Sequence, residues 1–255
     1  MTKIRAGLPA NYSPAATLLS QRVILVTGAG QGLGKVAALA FAQHGASVIL
    51  HGKSLAKLEA VYDQIHDSGA PKAAILPLDF LTATQSELDG FAHSIHDNFG
   101  RLDGIFHAAS LMSPLTPLKL HALDSWQRHW QVNVAAPAAL TRACLPMLLR
   151  AVDSRVVFLT ETHALDPRPY WGPFALAKGV LPNAAEMWQA ELPADTSLRF
   201  RVCLPGPVAS PARFISHPAE ERQNLPSAES LAPQFVYLIG PDSRSATSTL
   251  HYCQP

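Results

Sequence analysis

Charge of either sign is scarce in this sequence. Only 15% of the 255 residues are Asp, Glu, Lys or Arg, and 20 basic against 19 acidic residues leave a formal net charge of +1. So small an excess gives no electrostatic basis for gripping a nucleic-acid backbone. Cysteine is scarcer still. Cys144, Cys203 and Cys253 are odd in number and far apart in the chain, with no Cys or His partner at metal-ligand spacing. Neither a disulfide framework nor a metal site is therefore expected. The apolar runs are strand-length and broken by Gly, Pro or charge, so no membrane-spanning segment is expected either. A cleavable signal pattern is also lacking. These absences favour a reducing, cytoplasmic setting and a small-molecule ligand over nucleic acid or membrane.

Apolar side chains are abundant, at 48% of the chain, enough for an extensive core. Short β-branched or aliphatic runs at 22–27, 47–50, 73–78, 104–107, 155–160, 199–204 and 249–253 read as strands, and most intervals between them as helices. That alternation predicts a single α/β domain: a doubly wound, parallel, seven-stranded sheet with helices on both faces. Residues 1–13 mix Pro, Gly, Asn and basic side chains without periodicity and read as a flexible leader, so the domain is drawn as 14–255. Residues 205–230 contain five prolines and read as an irregular loop over a ligand cleft.

The first strand runs into Thr27-Gly28-Ala29-Gly30-Gln31-Gly32-Leu33-Gly34 and then a helical pattern. Glycines allow a tight turn and close backbone approach, and the helix start offers free N–H groups and a favourable dipole, the requirements of a pyrophosphate site. At the end of the second strand stands His51-Gly52-Lys53-Ser54. A carboxylate there would accept hydrogen bonds from the adenosine ribose of NAD and repel the 2′-phosphate of NADP. With Gly52 and Lys53 in its place, NADP(H) is expected in preference to NAD(H), Lys53 holding the phosphate with help from Ser54 or His51.

The glycine spacing resembles that of the short-chain dehydrogenase/reductase family, and the resemblance extends over nearly the whole chain. Asp79-Phe80 follows the third strand, Asn133 lies in the helix after the fourth, Lys178 occupies the motif lysine, and Pro205-Gly206-Pro207-Val208 follows the sixth strand. Asp242-Ser243-Arg244 and the closing Gln254-Pro255 are similar to an NADP-preferring bacterial subgroup. The resemblance implies a Rossmann-like fold. It also implies a cofactor lining of Gly28, Gly30, Gln31, Gly32, Leu33, Gly34, Gly52, Lys53, Ser54, Asp79, Phe80, Ala108, Ala109, Asn133, Lys178, Pro205, Gly206, Val208 and Ser210. The implied activity is hydride transfer with a carbonyl or secondary alcohol. A homodimer or homotetramer is implied as well, paired through the helices near 137–150 and 174–191.

In that family a Tyr moves the substrate proton, a Lys four residues later lowers its pKa, a Ser orients the carbonyl and an Asn supports a water relay. The Tyr–Lys pair is here Phe174 and Lys178, and the serine position is Glu161. Phenylalanine has no proton to give, and a carboxylate opposes developing oxyanion charge unless protonated. The segment after the fourth strand reads His107-Ala108-Ala109-Ser110, without the family's strand-tying amide. Glu161, His163 and Tyr170 are the candidate substitutes for the missing acid, with Glu161 expected to pair with Lys178 and Tyr170 expected in a proline-rich loop. Pro182 would free the carbonyl of Lys178. Two functions stay open: an oxidoreductase with a nonstandard proton donor, and a cofactor-binding pseudoenzyme acting as sensor or partner subunit.

Overall fold

The computed structural model describes residues 7, 9 and 12–253. Most of the expected leader and the closing Gln254-Pro255 lie outside the described residues. Seven strands form the sheet: β1 (Val23–Thr27), β2 (Ser47–Gly52), β3 (Ala74–Pro77), β4 (Gly104–His107), β5 (Arg155–Leu159), β6 (Arg199–Leu204) and β7 (Leu250–Tyr252). All neighbours pair in parallel, in the order β3-β2-β1-β4-β5-β6-β7. The direction of winding reverses between β1 and β4, which opens a crevice at their carboxyl ends where such sheets hold ligands.

Parallel strands covered on both sides must be apolar throughout, and β1 and β5 are buried at every position. Helices α1 (Gly32–Gln43) and α2 (Leu55–Asp67) lie on one face with α10 (Ala232–Ile239), through Phe41, Leu58 and Phe235. The other face is covered by α3 (Gln85–Phe99), α5 (Ala136–Arg150) and α8 (Leu181–Ala190), through Phe91, Leu140 and Ala185. Shorter helices α4 (Leu123–Trp130), α6 (Thr162–Leu165), α7 (Gly172–Gly179) and α9 (Pro211–Ser216) surround the crevice.

Three expectations need correction, and one approach of two thiols is not foreseen in the sequence. Helix α4, a π-helical turn at Gln131–Ala135 and α5 run on as one 28-residue helix, long and apolar enough by composition to cross a membrane. The sequence does not display this length because Pro137 and Pro146 interrupt the pattern. Val132, Leu140 and Leu148 of this helix are spent on the sheet. Residues 205–230 are not irregular throughout, since they contain α9 and two 3₁₀ turns. The leader boundary also falls too late: Tyr12 donates its hydroxyl hydrogen to Asp242 Oδ2 at 2.8 Å and packs edge-on against Tyr237. Finally, Cys203 and Cys253, fifty residues apart, bring their sulfurs within 3.0 Å. Cys253 follows β7 closely, and its N–H bonds to Leu204 O.

The Asp242-Ser243-Arg244 motif works at the opposite end of the sheet from the crevice. Buried Ser243 donates to Gly240 O and accepts from Arg155 Nε, whose guanidinium also meets Asp153. A fully buried arginine needs such a set of acceptors.

Candidate active site

Every glycine of the turn is held by what surrounds it. Gly28, at φ +67°, has no space for a Cβ, which would lie 2.7 Å from the Ala109 backbone, and a Cβ on Gly34 would strike the Gly28 carbonyl. Gly32, at φ +55°, meets only Pro211 of α9, at 3.3 Å. The turn is tied to its neighbours by Ala29 N–H to His51 O and Ala109 N–H to the Thr27 hydroxyl. Helix α1 starts at an N-cap, Gln31, that makes no side-chain cap, and its first turn holds no acid. Its N–H groups therefore face a cradle of about 330 Å³, within the range of small-molecule sites. An anionic diphosphate fits this donor set.

The end of the cleft beside β2 is equally suited to an anion. Helix α2 begins at Ser54 without a side-chain cap and without an acid in its first turn. Lys53 precedes it, and Lys57 on its first turn donates to Gln31 Oε1 at 2.6 Å across the glycine turn. Lys57 is thus a cation of the site that the motif spacing does not disclose. Its only sequence signal is its place three residues beyond Ser54. His51, by contrast, cannot help hold a phosphate by charge. It is buried between Phe80 and Phe91, and burial pushes its pKa down to about 3 despite the pull of Asp79. Asp79 sits on the cleft wall, with Oδ1 accepting from Leu81 N–H.

At the end of the cleft beside β5, Lys178 is 4% exposed and donates from Nζ to Leu159 O at 3.2 Å. Burial lowers its pKa to about 8, partly countered by Glu161. The expected Glu161–Lys178 ion pair is not formed; burial instead raises the Glu161 pKa, opposed by the neighbouring Thr162 and His163 backbone and by the charges of His163 and Arg213. Arg213 is itself held by Glu220 through two 2.6 Å bonds. The carbonyl of Lys178, which Pro182 was expected to free for ligand, accepts the Thr160 hydroxyl at 2.8 Å.

Of the site residues drawn from the sequence, all but Asn133, His163 and Tyr170 line this one cleft. Asn133 sits behind it in the π-helical turn, where its amide oxygen accepts from Ser110 Oγ and Leu111 N–H while Nδ2 donates to Leu111 O. The side chain expected to support a water relay is consumed in holding the loop after β4. Tyr170, at φ +76°, is 55% exposed and turned away. Its neighbour Trp171 takes the wall, packed near Phe174, His163 and His217. His163 stands behind Trp171 and does not line the cleft. Ala108, in place of the family amide, lines the cleft floor, and the adjacent buried His107 donates from Nε2 to Thr141 Oγ1, whose own hydrogen goes to Pro137 O. Trp171, Met112 and Arg213 are further wall residues that motif spacing does not reveal.

This arrangement has close counterparts. The model of the short chain dehydrogenase family matches residues 22–220. The oxidoreductase YciK of Escherichia coli (strain K12) is 35% identical over 247 residues, 96% of each chain. A short chain dehydrogenase structure from Pseudomonas syringae superposes with a TM-score of 0.92 at 36% identity, covering 96% of this chain and 99% of that one. Another, from Escherichia coli CFT073 and complexed with NADPH, does so with a TM-score of 0.87 at 34% identity, covering 95% and 100%. The matched span takes in the glycine turn, the reversal of the sheet beside it and the buried lysine at the far end of the cleft, and the chain belongs to the short-chain dehydrogenase/reductase family.

Proposed function

We propose that this protein is an NADP(H)-dependent oxidoreductase that exchanges a hydride with a carbonyl or secondary alcohol, without the hydroxyl-bearing acid of its family pattern. The observation that carries the cofactor choice is the start of α2: uncapped, free of acid, and flanked by Lys53 and Lys57 where a carboxylate would select NAD. The NADPH complex of the E. coli CFT073 relative supports the same choice. In this reading the backbone of the glycine turn and of α1 holds the pyrophosphate, Lys53, Ser54 and Lys57 hold the 2′-phosphate, Asp79 meets the adenine, and Lys178 holds the nicotinamide ribose. The reduced nicotinamide, when bound, supplies a hydride. Phe174 closes the pocket by apolar packing and moves no proton. Glu161 holds a proton more readily than an exposed carboxylate, because the cleft wall desolvates it.

The second reading, a cofactor-binding pseudoenzyme, is favoured by the sealed aromatic cluster of Trp171 and Phe174 at the catalytic tyrosine's place. Both readings share a homo-oligomer in the cytoplasm, with exposed Leu176 and Met187 as apolar surface for a partner copy. Calorimetric titration with NADPH and NADH, beside an NADPH-oxidation assay over ketones and aldehydes, separates them. Tight NADPH binding with slow turnover supports the oxidoreductase, and binding with none supports the pseudoenzyme.

A further inference from the structure

The two substitutions at the reaction centre alter its chemistry in one direction. A neutral phenol and a neutral hydroxyl, both suited to an oxygen that gains negative charge, give way to an aromatic hydrocarbon at Phe174 and a carboxyl at Glu161. Around them stand Trp171, Met112 and Leu111, which offer apolar surface and a π face. Among the described residues no cation lies within ion-pair distance of Glu161, since Arg213 is forked onto Glu220 and Lys178 Nζ is turned to a backbone carbonyl. The wall therefore presents a carboxyl without an ion-pair partner, held by the Thr162 and His163 backbone and felt by the charges of His163 and Arg213, and an indole beside it. Such a wall repels an oxyanion. A cation on the substrate would meet both a counter-charge and a ring face.

We infer that the substrate of this cleft is a cationic carbon–nitrogen double bond, an iminium, with Glu161 as its counter-ion and Trp171 as its platform. This inference rests on the NADP(H)-dependent hydride transfer proposed above and names the substrate class for it. The balance explains why the acid can be lost. Hydride adds to the iminium carbon, the C=N π pair returns to nitrogen, and the products are a neutral amine and NADP⁺. No proton is consumed, whereas a ketone needs one to become an alcohol. The apolar side chain of Phe174 then costs the reaction nothing, and Glu161, which burial pushes toward its protonated form and a bound cation pushes back, stabilises the charged reactant when ionised. Lys178 adds an opposing positive charge nearby, which its buried setting weakens by favouring the neutral amine as pH rises toward and past 8.

The test uses the intact protein, NADPH, a permanently charged N-methyl-3,4-dihydroisoquinolinium and the ketone 1-tetralone, which has nearly the same shape. The iminium should be reduced with a kcat/KM about a hundredfold or more above that of the ketone, the scale of a missing general acid. Glu161→Gln, which keeps size and removes charge, should lower iminium turnover about tenfold or more. In calorimetry without cofactor it should weaken iminium binding to the same degree, while NADPH binding stays unchanged. Phe174→Tyr should raise only the ketone rate. Equal rates for both substrates, or iminium binding and turnover indifferent to Glu161→Gln, would overturn the inference while leaving the oxidoreductase intact. NADPH binding with neither compound reduced overturns it in favour of the pseudoenzyme. Failure of NADPH to bind brings down the cofactor reading and this inference with it.

Discussion

Removing the charge of Lys53 tests the cofactor site at its most exposed point. Lys53 lies at the surface of the cleft, immediately before the uncapped start of α2, so the water-like regime applies. Two unit charges about 4 Å apart attract there by about 1 kcal/mol, and a phosphate bearing nearly two negative charges roughly doubles this. Ordering a long side chain and ionic screening take part of that back. A net of about 1.4 kcal/mol corresponds to a tenfold change in affinity. Lys53→Ala should therefore weaken NADPH binding about tenfold and leave NADH, which has no 2′-phosphate, unaffected. Lys53→Glu reverses the sign and should cost about a hundredfold, enough to equalise or invert the preference. Lys57→Ala should resemble Lys53→Ala, with a smaller change because part of its charge is already directed at Gln31. Calorimetry at two salt concentrations is the assay, since the lysine effect must shrink as salt rises. Equal affinity of the unmodified protein for NADPH and NADH, or a Lys53→Glu change shared equally by both cofactors, would refute the assignment of this end of the cleft to a 2′-phosphate.

Three further outcomes follow from the same geometry. Gly32→Val should abolish NADPH binding while the protein still melts cooperatively, since the branched side chain enters the phosphate cradle at φ +55° with only Pro211 close by; unchanged titration would mean the turn serves the backbone alone. Phe174→Tyr with Glu161→Ser should raise ketone reduction by more than the sum of the single changes, because both introduced hydroxyls act on one oxygen; a double variant that binds NADPH normally and reduces no ketone, aldehyde or quinone would contradict it. Lys178, whose folded pKa is lowered to about 8 from 10.5, makes the fold bind fewer protons than the unfolded chain between those values, so stability should rise with pH across that window. Compared with Lys178→Met in denaturant melts, the unmodified protein should gain about 3 kcal/mol from pH 8 to pH 10.5, with no relative gain below pH 7.

Much of the fold was legible because each strand is a short apolar run and the glycine turn announces the first crossover; the predicted strands match the observed ones to within two residues. What the sequence concealed depends on side-chain direction. Tyr170 and Trp171 are adjacent aromatics; the prolines around Tyr170 point to a loop, but the sequence does not show that Trp171 takes the wall in its place. The chain enters α7 through Pro169 and a left-handed Tyr170, which sends the phenol outward and Trp171 inward. Glu161 and Lys178 do converge on one cleft, yet Nζ finds a carbonyl before it finds the carboxyl. Lys57 enters the site only because α2 docks over the glycine turn so tightly that a Cβ on Gly30 would lie 2.9 Å from its Cβ. The thiols of Cys203 and Cys253 meet only because β7 pairs with β6.

The three hydrogen bonds that Asn133 makes to Ser110 and Leu111 divide the cleft into a fixed half and a variable half. Any shift of the loop after β4 must break bonds to a side chain that is itself rooted in a 28-residue helix packed on the sheet. That wall is therefore pre-paid in entropy: its residues meet a ligand already ordered. The opposite wall is Pro211–Ser216 and its flanks, a six-residue helix capped by Ser210 and braced within itself by Arg213 and Glu220. Changes within that helix touch none of the seven strands, so the shape of the cleft is most easily altered on the side that Asn133 does not hold.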